Sequence, residues 1–140
     1  MALRPSFLVD ESALARLPKP AVREALEPLI MAGEVARCSV IDLELLFSAR
    51  SHRDFVQLRA EREAAFHLVD TEQVDFDRAV LVMERLAARG HHRAVSIPDL
   101  VIAAVAERHH LTLLHYDADF DHVARITGQA MRWVVPRGTV

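Results

Sequence analysis

The sequence predicts an α/β fold, a three-layer α/β/α sandwich around a central five-stranded, mainly parallel sheet. Short apolar runs rich in β-branched residues alternate with longer amphipathic runs, and this alternation is typical of βα units. No repeat, low-complexity tract or Gly/Ser linker divides the 140 residues. A chain of this length can form one domain that buries roughly 70% of its unfolded surface, so we expect a single domain over residues 1–140.

Five apolar runs of four or five residues are the predicted strands, because they are too short for helices and are rich in strand-forming residues. In chain order they are Phe7–Asp10, Val35–Cys38, Phe66–Val69, Thr112–Tyr116 and Arg132–Val135.

The segments between these strands are predicted helices. In chain order they are Ser12–Leu17, Ala21–Met31, Ile41–Ala49, Asp54–Ala65, Val74–Arg89, Pro98–Arg108 and Ala118–Ile126. Pro18 and Pro20 separate the first two helices, and Gly33 is a suitable C-cap for the second. Ser96 and Pro98 together mark the start of the sixth.

Two aspartates follow predicted strands directly. Asp10 ends the first strand and Asp117 follows the fourth. In open parallel sheets, ligands bind beyond the carboxyl ends of the strands where the strand order reverses, so neighbouring first and fourth strands would bring these carboxylates together. Each aspartate could equally cap the helix that follows it.

Two further acids lie on predicted helices. Glu44 shares a helical face with Val40 and Phe47, where a carboxylate is costly unless it is paired, bound to a metal or able to reach water. We expect Asp42, on another face, to be solvated, and likewise Asp121 on the last predicted helix. Asp99 has the spacing of a capping box with Ser96, which explains it as well as a metal site does.

Asp10, Glu44, Asp99 and Asp117 together offer the oxygen ligands that Mg²⁺ prefers. If these four carboxylates meet, they repel one another, and at least one should have a raised pKa that metal binding relieves. The four acids therefore favour a magnesium-dependent nuclease.

The composition limits the remaining possibilities. The net charge of -3 disfavours a generic coat for polyanions, so any contact with nucleic acid must be local. Lys19 is the only lysine, and arginine suits bidentate contacts to phosphate.

The single cysteine, Cys38, is expected to be a small buried hydrophobe in a reducing compartment. No signal peptide or membrane span is evident, so we expect a cytoplasmic protein.

Four motifs in order resemble those of the PIN-domain ribonucleases, and among them the VapC-type toxins of toxin-antitoxin pairs. They are Phe7–Leu14, Ser39–Glu44, Ile97–Ala104 and His115–Phe120. The resemblance spans essentially the whole chain as one PIN-like domain. Glu11 departs from the family pattern, which usually has a small residue there, and we assign it no role.

The resemblance implies hydrolysis of RNA phosphodiester bonds by Mg²⁺ or Mn²⁺ held at the four acids. Ser12 would hydrogen-bond Asp10 or a metal-bound water. Asp119 is a supporting candidate whose role stays open, because the family uses the first acid of the fourth motif, here Asp117, as a ligand more securely than the second. A homodimer is also implied, as is a VapB-type antitoxin that covers the active site, for which the apolar helices from Val40 onward are candidate surfaces.

Arginines at the rim should position the phosphates, because an acidic pocket repels RNA. Arg16, Arg50 and Arg53 are the candidates, since they follow the first and second motifs.

Other functions explain less of the sequence. Histidines near the fourth strand suggest zinc, but the spacing of zinc motifs is absent. A phosphoacceptor signalling domain would need a lysine near its aspartate, and Lys19 lies in the wrong place. A PIN-like RNA-binding or regulatory module with weak catalysis is the other alternative, and retention of all four acids disfavours it. Trp133 and Tyr116 are expected to pack in the core rather than stack on bases.

Overall fold

The computed structural model describes residues 4–140 and forms one five-stranded sheet flanked by helices. The strands are β1 (Phe7–Val9), β2 (Val35–Arg37), β3 (His67–Leu68), β4 (Thr112–His115) and β5 (Met131–Trp133). The helices are α1 (Glu11–Leu14), α2 (Pro20–Met31), α3 (Ser39–Phe47), α4 (His52–Ala65), α5 (Gln73–Ala88), α6 (Ile97–Arg108) and α7 (Asp119–Thr127).

The sheet has the order β3-β2-β1-β4-β5, and all four strand pairs are parallel. The prediction of an α/β sandwich with a mainly parallel sheet is therefore confirmed. Helical crossovers make this arrangement possible, because parallel neighbours need long connections. The strand order reverses between β1 and β4, which is the arrangement under which Asp10 and Asp117 were expected to meet.

Alternate residues of the central strands pack on opposite faces of the sheet. Leu8 and Leu113 join a core cluster with Ile41, Leu86 and Ile102, which come from α3, α5 and α6. The next residue along each strand, Val9 or Leu114, joins a second cluster on the other face. This cluster includes Val22 and Leu26 of α2. The strands are apolar on both sides because the sheet is covered on both faces.

Every predicted element is present, with shifted ends. The largest shift is in the first helix, which was predicted to end at Leu17 and ends at Leu14 before a turn. Pro20 occupies the first turn of α2, where its missing N–H costs nothing. Gly33 follows the end of this helix with φ +71°, a left-handed conformation that favours glycine.

None of the helices described between residues 4 and 140 combines the length and hydropathy that a membrane span requires.

Candidate metal centre

The parallel pairing of β1 and β4 brings the first and fourth motifs to the same edge of the sheet. Val9 is paired in register with Leu114, and the Asp10 N–H donates to the Leu114 carbonyl at 2.9 Å. Asp10 therefore begins the turn after β1 beside the loop that carries Asp117. β1 and β4 are therefore adjacent strands, which was the condition for Asp10 and Asp117 to meet.

Two groups of three carboxylates converge at this edge, and they share Asp99. One group comprises Asp10, Glu44 and Asp99, and the other comprises Asp99, Asp117 and Asp119. Within each group, one oxygen from each residue lies within 4.8 Å of the others. Hard oxygen donors at this spacing are the ligand set that suits Mg²⁺ or Mn²⁺. The four acids chosen from the sequence thus lie together, and Asp119 joins them.

Asp10 both caps a helix and presents a free oxygen. Its Oδ2 accepts a hydrogen bond from the Ser12 N–H at 3.0 Å, so the capping interpretation of the sequence is correct for this atom. Its Oδ1 is buried and has no hydrogen-bond partner within residues 4–140, and the residue is only 4% exposed. A buried carboxylate oxygen without a partner is costly, and a cation would compensate that cost.

Glu44 presents a second such oxygen. Its Oε1 is also buried without a hydrogen-bond partner among the described residues. The apolar face on which the sequence placed it is only partly buried, since Val40 packs against the core while Phe47 is 93% exposed. Glu44 is therefore at the boundary between the acid cluster and an open apolar surface, rather than on a core-facing stripe.

Asp99 makes only half of the predicted capping box. Ser96 Oγ accepts from the Asp99 N–H at 3.3 Å, but in residues 4–140 the carboxylate makes no return bond to the Ser96 N–H. Glu72 and Asp75 form the complete box at the start of α5. The Asp99 carboxylate instead lies among the other acids, so Ser96 holds the helix start while Asp99 serves the cluster.

Asp10, Glu44 and Asp99 have raised pKa values, as predicted for acids that meet. Burial and then the nearby Asp10 charge raise the pKa of Asp99 to about 7, with a smaller contribution from Asp117. Burial, followed by Asp10 and Glu11, raises the pKa of Glu44 to about 7. Burial also raises the pKa of Asp10, against hydrogen bonds from Ser12 that lower it.

The loop after β4 is held by three hydrogen bonds. The Asp117 N–H donates to His115 Nδ1 at 3.2 Å, and Asp117 Oδ1 accepts from the Asp119 N–H at 2.9 Å. Ser12 Oγ accepts from the Tyr116 N–H at 2.9 Å, which joins the turn after β1 to this loop. The Ser12 hydroxyl thus has a role in positioning that the sequence did not reveal, since its partner is distant along the chain.

Asp119 and Glu11 were the acids whose roles the sequence left open. Burial and the Asp117 charge raise the pKa of Asp119, which agrees with its place in the second carboxylate group. Burial and the Asp10 charge raise the pKa of Glu11, whose side chain lines an open cavity together with Glu44. Glu11 therefore lies beside the cluster, in a position that adds negative charge to it.

The histidines do not form a metal site in the part of the chain that the structure describes, where both candidate ligand groups contain carboxylates alone. His115 is buried against Phe120 and Trp133, and its pKa is lowered chiefly by burial. His109 Nε2 lies 3.0 Å from Asp70, and neither residue belongs to the two carboxylate groups.

The three candidate arginines occupy different environments. Arg16 Nη1 donates to the Ser12 carbonyl at 2.8 Å, and its guanidinium lies 4.3 Å from the centre of the Tyr116 ring. Arg50 and Arg53 are exposed at the junction of α3 and α4. Arg16 is thus packed at the edge of the cluster, while the other two are free to reach outward.

Two acids that were expected to be solvated are not, and these expectations were wrong. Asp42 accepts from Arg37 at 2.5 Å and from Arg62 at 2.6 Å, with the side chain 17% exposed. Asp121 Oδ1 accepts the indole N–H of Trp133 at 3.2 Å. All three partners come from other elements, and the only signal in the sequence was an arginine, Arg37, within an apolar strand.

Tyr116 and Trp133 are half-buried and are not among the residues of either core cluster, so their expected packing in the core is met only in part. Their rings meet edge to face, with centroids 5.2 Å apart. The Tyr116 hydroxyl donates to the Val140 carbonyl at 3.0 Å, so the aromatic pair fastens the C-terminal residues. Cys38 is also buried as expected, and burial raises the pKa of its thiol to about 11.

Comparison with known sequences identifies relatives along almost the whole chain. The family model described as PIN domain matches residues 7–126. Ribonuclease VapC21 of Mycobacterium tuberculosis is 47% identical over 133 residues, covering 95% of this chain and 96% of the relative. Ribonuclease VapC51 of the same species is 46% identical over 140 residues, covering 100% and 99%.

Solved structures share the fold. The VapBC2 complex of Rickettsia felis bound to a promoter DNA fragment has a chain that matches with a TM-score of 0.73 and 14% identity, covering 93% of this chain and 98% of that one. DNA-bound VapBC of Salmonella typhimurium matches with a TM-score of 0.72 and 17% identity, covering 94% and 99%. At these identities the likeness extends to the fold, including the all-parallel sheet.

Proposed function

The chain belongs to the PIN domain family, and from this premise we propose that it is a metal-dependent endoribonuclease, the toxin of a VapBC-type toxin-antitoxin pair. The observation that carries the proposal is the convergence of Asp10, Glu44, Asp99 and Asp117 at the switch point of the sheet. Relatives with 46% to 47% identity over nearly their whole length are described as ribonucleases, which supports hydrolysis of RNA phosphodiester bonds.

The residues present fit a hard divalent cation. Asp10 Oδ1 and Glu44 Oε1 are buried oxygens without hydrogen-bond partners in residues 4–140, and the other candidate ligands are carboxylates too. We assign Asp10, Glu44, Asp99 and Asp117 as the ligand set and Mg²⁺ as the ion, with Mn²⁺ as a substitute. When bound, such an ion lowers the pKa of an attacking water and neutralises charge that develops on the phosphate.

The chain itself supplies the positioning of these groups. Ser12 fixes Asp10 through its N–H and fixes the loop after β4 through its hydroxyl. His115 and the Asp119 N–H hold Asp117, while Ser96 holds the start of the helix that carries Asp99. These bonds keep the like-charged carboxylates together against their repulsion, so the site is preorganised before the substrate arrives.

Arginines near the rim would hold the RNA backbone. Arg50 and Arg53 are exposed beside α3, the helix that carries Glu44, and are therefore available to phosphates. Arg16 is already engaged with Ser12 and Tyr116, so its contribution would be mainly to the shape and charge of the rim.

The proposed protein partner is a small VapB-type antitoxin that binds over the active site. Exposed apolar side chains of α3 and α4 suit an amphipathic segment of such a partner; they are Leu43, Phe47, Phe55 and Val56. Leu43 and Phe47 line the same cavity as Glu44. The solved neighbours are described as VapBC complexes, which supports this assignment. We also propose a homodimer and a cytoplasmic location, in keeping with the family resemblance.

Expression of the chain in a bacterial host tests this function. Growth should stop, and co-expression of a short reading frame found immediately upstream of the gene should restore it. The purified protein should cleave RNA with Mg²⁺ or Mn²⁺ and cease to do so with a chelator. A protein that neither arrests growth nor cleaves RNA with either ion would refute the proposal.

A further inference from the structure

A second cavity lies on the same edge of the sheet as the acid cluster. It has a volume of about 490 Å³ and is bounded by β2, α3 and α4. Three arginines line it, namely Arg37, Arg59 and Arg62. We call it the arginine cavity.

Positive charge in the arginine cavity exceeds the negative charge that faces it. The buried guanidinium groups of Arg37 and Arg62 share one carboxylate, that of Asp42, and the two arginine side chains are 15% and 8% exposed. Arg37 Nε is buried without a hydrogen-bond partner among the described residues. Arg59 bonds Glu63 at the mouth of the cavity, where both side chains are largely exposed and free to rearrange. One buried positive charge is therefore uncompensated, and an incoming anion would neutralise it.

The arginine cavity adjoins a cavity beside the acid cluster. Leu43 lines both the arginine cavity and the adjoining cavity that contains Glu11 and Glu44. Arg37 ends β2, which is the parallel neighbour of β1, and adjacent strands lie about 4.8 Å apart. An extended strand of nucleic acid that leaves the carboxylates can therefore pass over Leu43 to the arginines.

We propose that the arginine cavity binds a backbone phosphate of the RNA substrate, on one side of the bond that is cleaved. The inference rests on the proposed ribonuclease function. Arginine presents a planar fork that matches phosphate oxygens, and a cation at this place offsets the repulsion between the acid cluster and a polyanion. An acidic peptide would satisfy the same charge, but the adjacency to the proposed cleavage site favours the RNA.

The test is cleavage kinetics with a short single-stranded RNA that the parent protein cleaves. A neutral methylphosphonate replaces one phosphate at a time on either side of the cleaved bond. For the parent, one position should lower kcat/KM by about tenfold, the effect expected when a charge-assisted hydrogen bond is lost. With unmodified RNA, Arg37→Gln and Arg59→Gln should lower kcat/KM by a similar factor, mainly through a higher KM. With the RNA that carries the methylphosphonate at the sensitive position, the two variants should show no further loss of kcat/KM.

Matched variants separate binding from folding. Arg85→Gln removes an exposed arginine from α5, outside the cavity, and should behave as the parent. Arg59 is largely exposed, so its replacement leaves the buried pair of Arg62 with Asp42 intact, and thermal unfolding should confirm an unchanged fold. Arg37→Lys keeps the charge and should recover part of the lost kcat/KM.

The possible failures are distinguishable. If the parent cleaves RNA and the Arg37→Gln and Arg59→Gln variants match its kcat/KM, the phosphate site is wrong while the ribonuclease function stands. Variants that keep kcat/KM but lose affinity for the antitoxin would also overturn the proposal, because the cavity would then serve the protein partner. If the parent cleaves no RNA at all, the proposed function fails and this inference fails with it.

Discussion

Asp10 and Asp99 come from opposite halves of the chain, yet a carboxylate oxygen of one lies within 4.8 Å of an oxygen of the other. Both residues are buried, at 4% and 7% exposure. Such a pair of like charges is unfavourable unless a proton or a cation lies between them.

Replacing either carboxylate by its amide should abolish RNA cleavage without unfolding the protein. Asp10→Asn and Asp99→Asn each remove a proposed metal ligand and one member of a repelling pair, so activity should fall by at least about a hundredfold while the melting temperature stays the same or rises. The measurement is cleavage with Mg²⁺ alongside thermal unfolding. Asp77→Asn, on the exposed side of α5, is the matched control. Parental cleavage and growth arrest by both variants would show that the acid-cluster mechanism is wrong.

Metal-free protein should lose stability as the pH rises from about 4 to 7. Glu44 and Asp99 have pKa values of about 7 in the folded protein, against 4.5 and 3.8 as ordinary values, so the folded state binds more protons in this window. Their contribution to stability is therefore greatest below the unfolded pKa and is lost as the pH approaches 7. In a chelator, Asp99→Asn should gain at least about 1.4 kcal/mol relative to the parent between pH 4 and 7.5, the equivalent of one pKa unit. A constant difference across this range would contradict the raised pKa of Asp99.

Divalent cations should stabilise the folded protein and release protons. Saturation with Mg²⁺ at 100 times its Kd should add about 2.7 kcal/mol to the free energy of unfolding. Calorimetry with and without the ion should show an increase in melting temperature of several degrees. This increase should disappear in the double variant Glu44→Gln/Asp99→Asn. Calorimetric titration at pH 7 in two buffers should detect proton release, because protonated carboxyls must ionise on binding. An equal response of parent and double variant would exclude these acids as the ligands.

Loss of the Ser12 hydroxyl should weaken the junction between the turn after β1 and the loop after β4. Ser12→Ala leaves the Tyr116 N–H without its acceptor, so we expect a loss of about 1–3 kcal/mol, measured by urea unfolding. Ser12→Thr keeps an acceptor oxygen and should retain most of the stability. Ser48→Ala, which removes an exposed hydroxyl bonded to its own helix, should cost less. An equal cost for Ser12→Ala and Ser48→Ala would contradict the role of this bond.

Removing the Asp42 carboxylate should be strongly destabilising. Asp42→Ala leaves the buried cations Arg37 and Arg62 without their shared anion, which should cost about 3–5 kcal/mol. Glu63→Ala breaks an exposed pair with Arg59 and should change the free energy of unfolding by about 0.5 kcal/mol or less. Chemical denaturation of both variants makes the comparison. A small effect of Asp42→Ala would restore the expectation that this acid is solvated.

The number and order of the elements could be predicted because they depend on local patterns. Apolar runs and their alternation with amphipathic runs identify strands and helices, and Gly33 and Ser96 identify helix ends. Helix ends set by other parts of the chain were less accurate, as at Leu14. The four ligand candidates could also be predicted, because a strand end, a helix start and a helical face are positions that the sequence itself defines.

The contacts between distant residues could not be predicted in the same way. Asp42 and Asp121 were interpreted as solvated because their partners, Arg37 with Arg62 and Trp133, lie on other elements. Phe47 was assigned to an apolar face whose neighbours the sequence does not specify. In each case the environment of a side chain depends on which elements pack around it.

The sequence by itself determined the α/β class, the strands, and the acids at Asp10, Glu44, Asp99 and Asp117, since these follow from local periodicity and from motifs of a few residues. Only the tertiary structure decided that Asp99 belongs to both carboxylate groups, and that Arg37 and Arg62 share one anion in a cavity next to them. The physical reason is the distance along the chain over which each effect acts. Propensity and capping act within a few residues of the chain, whereas burial and charge pairing depend on the register and order of strands that are far apart in sequence.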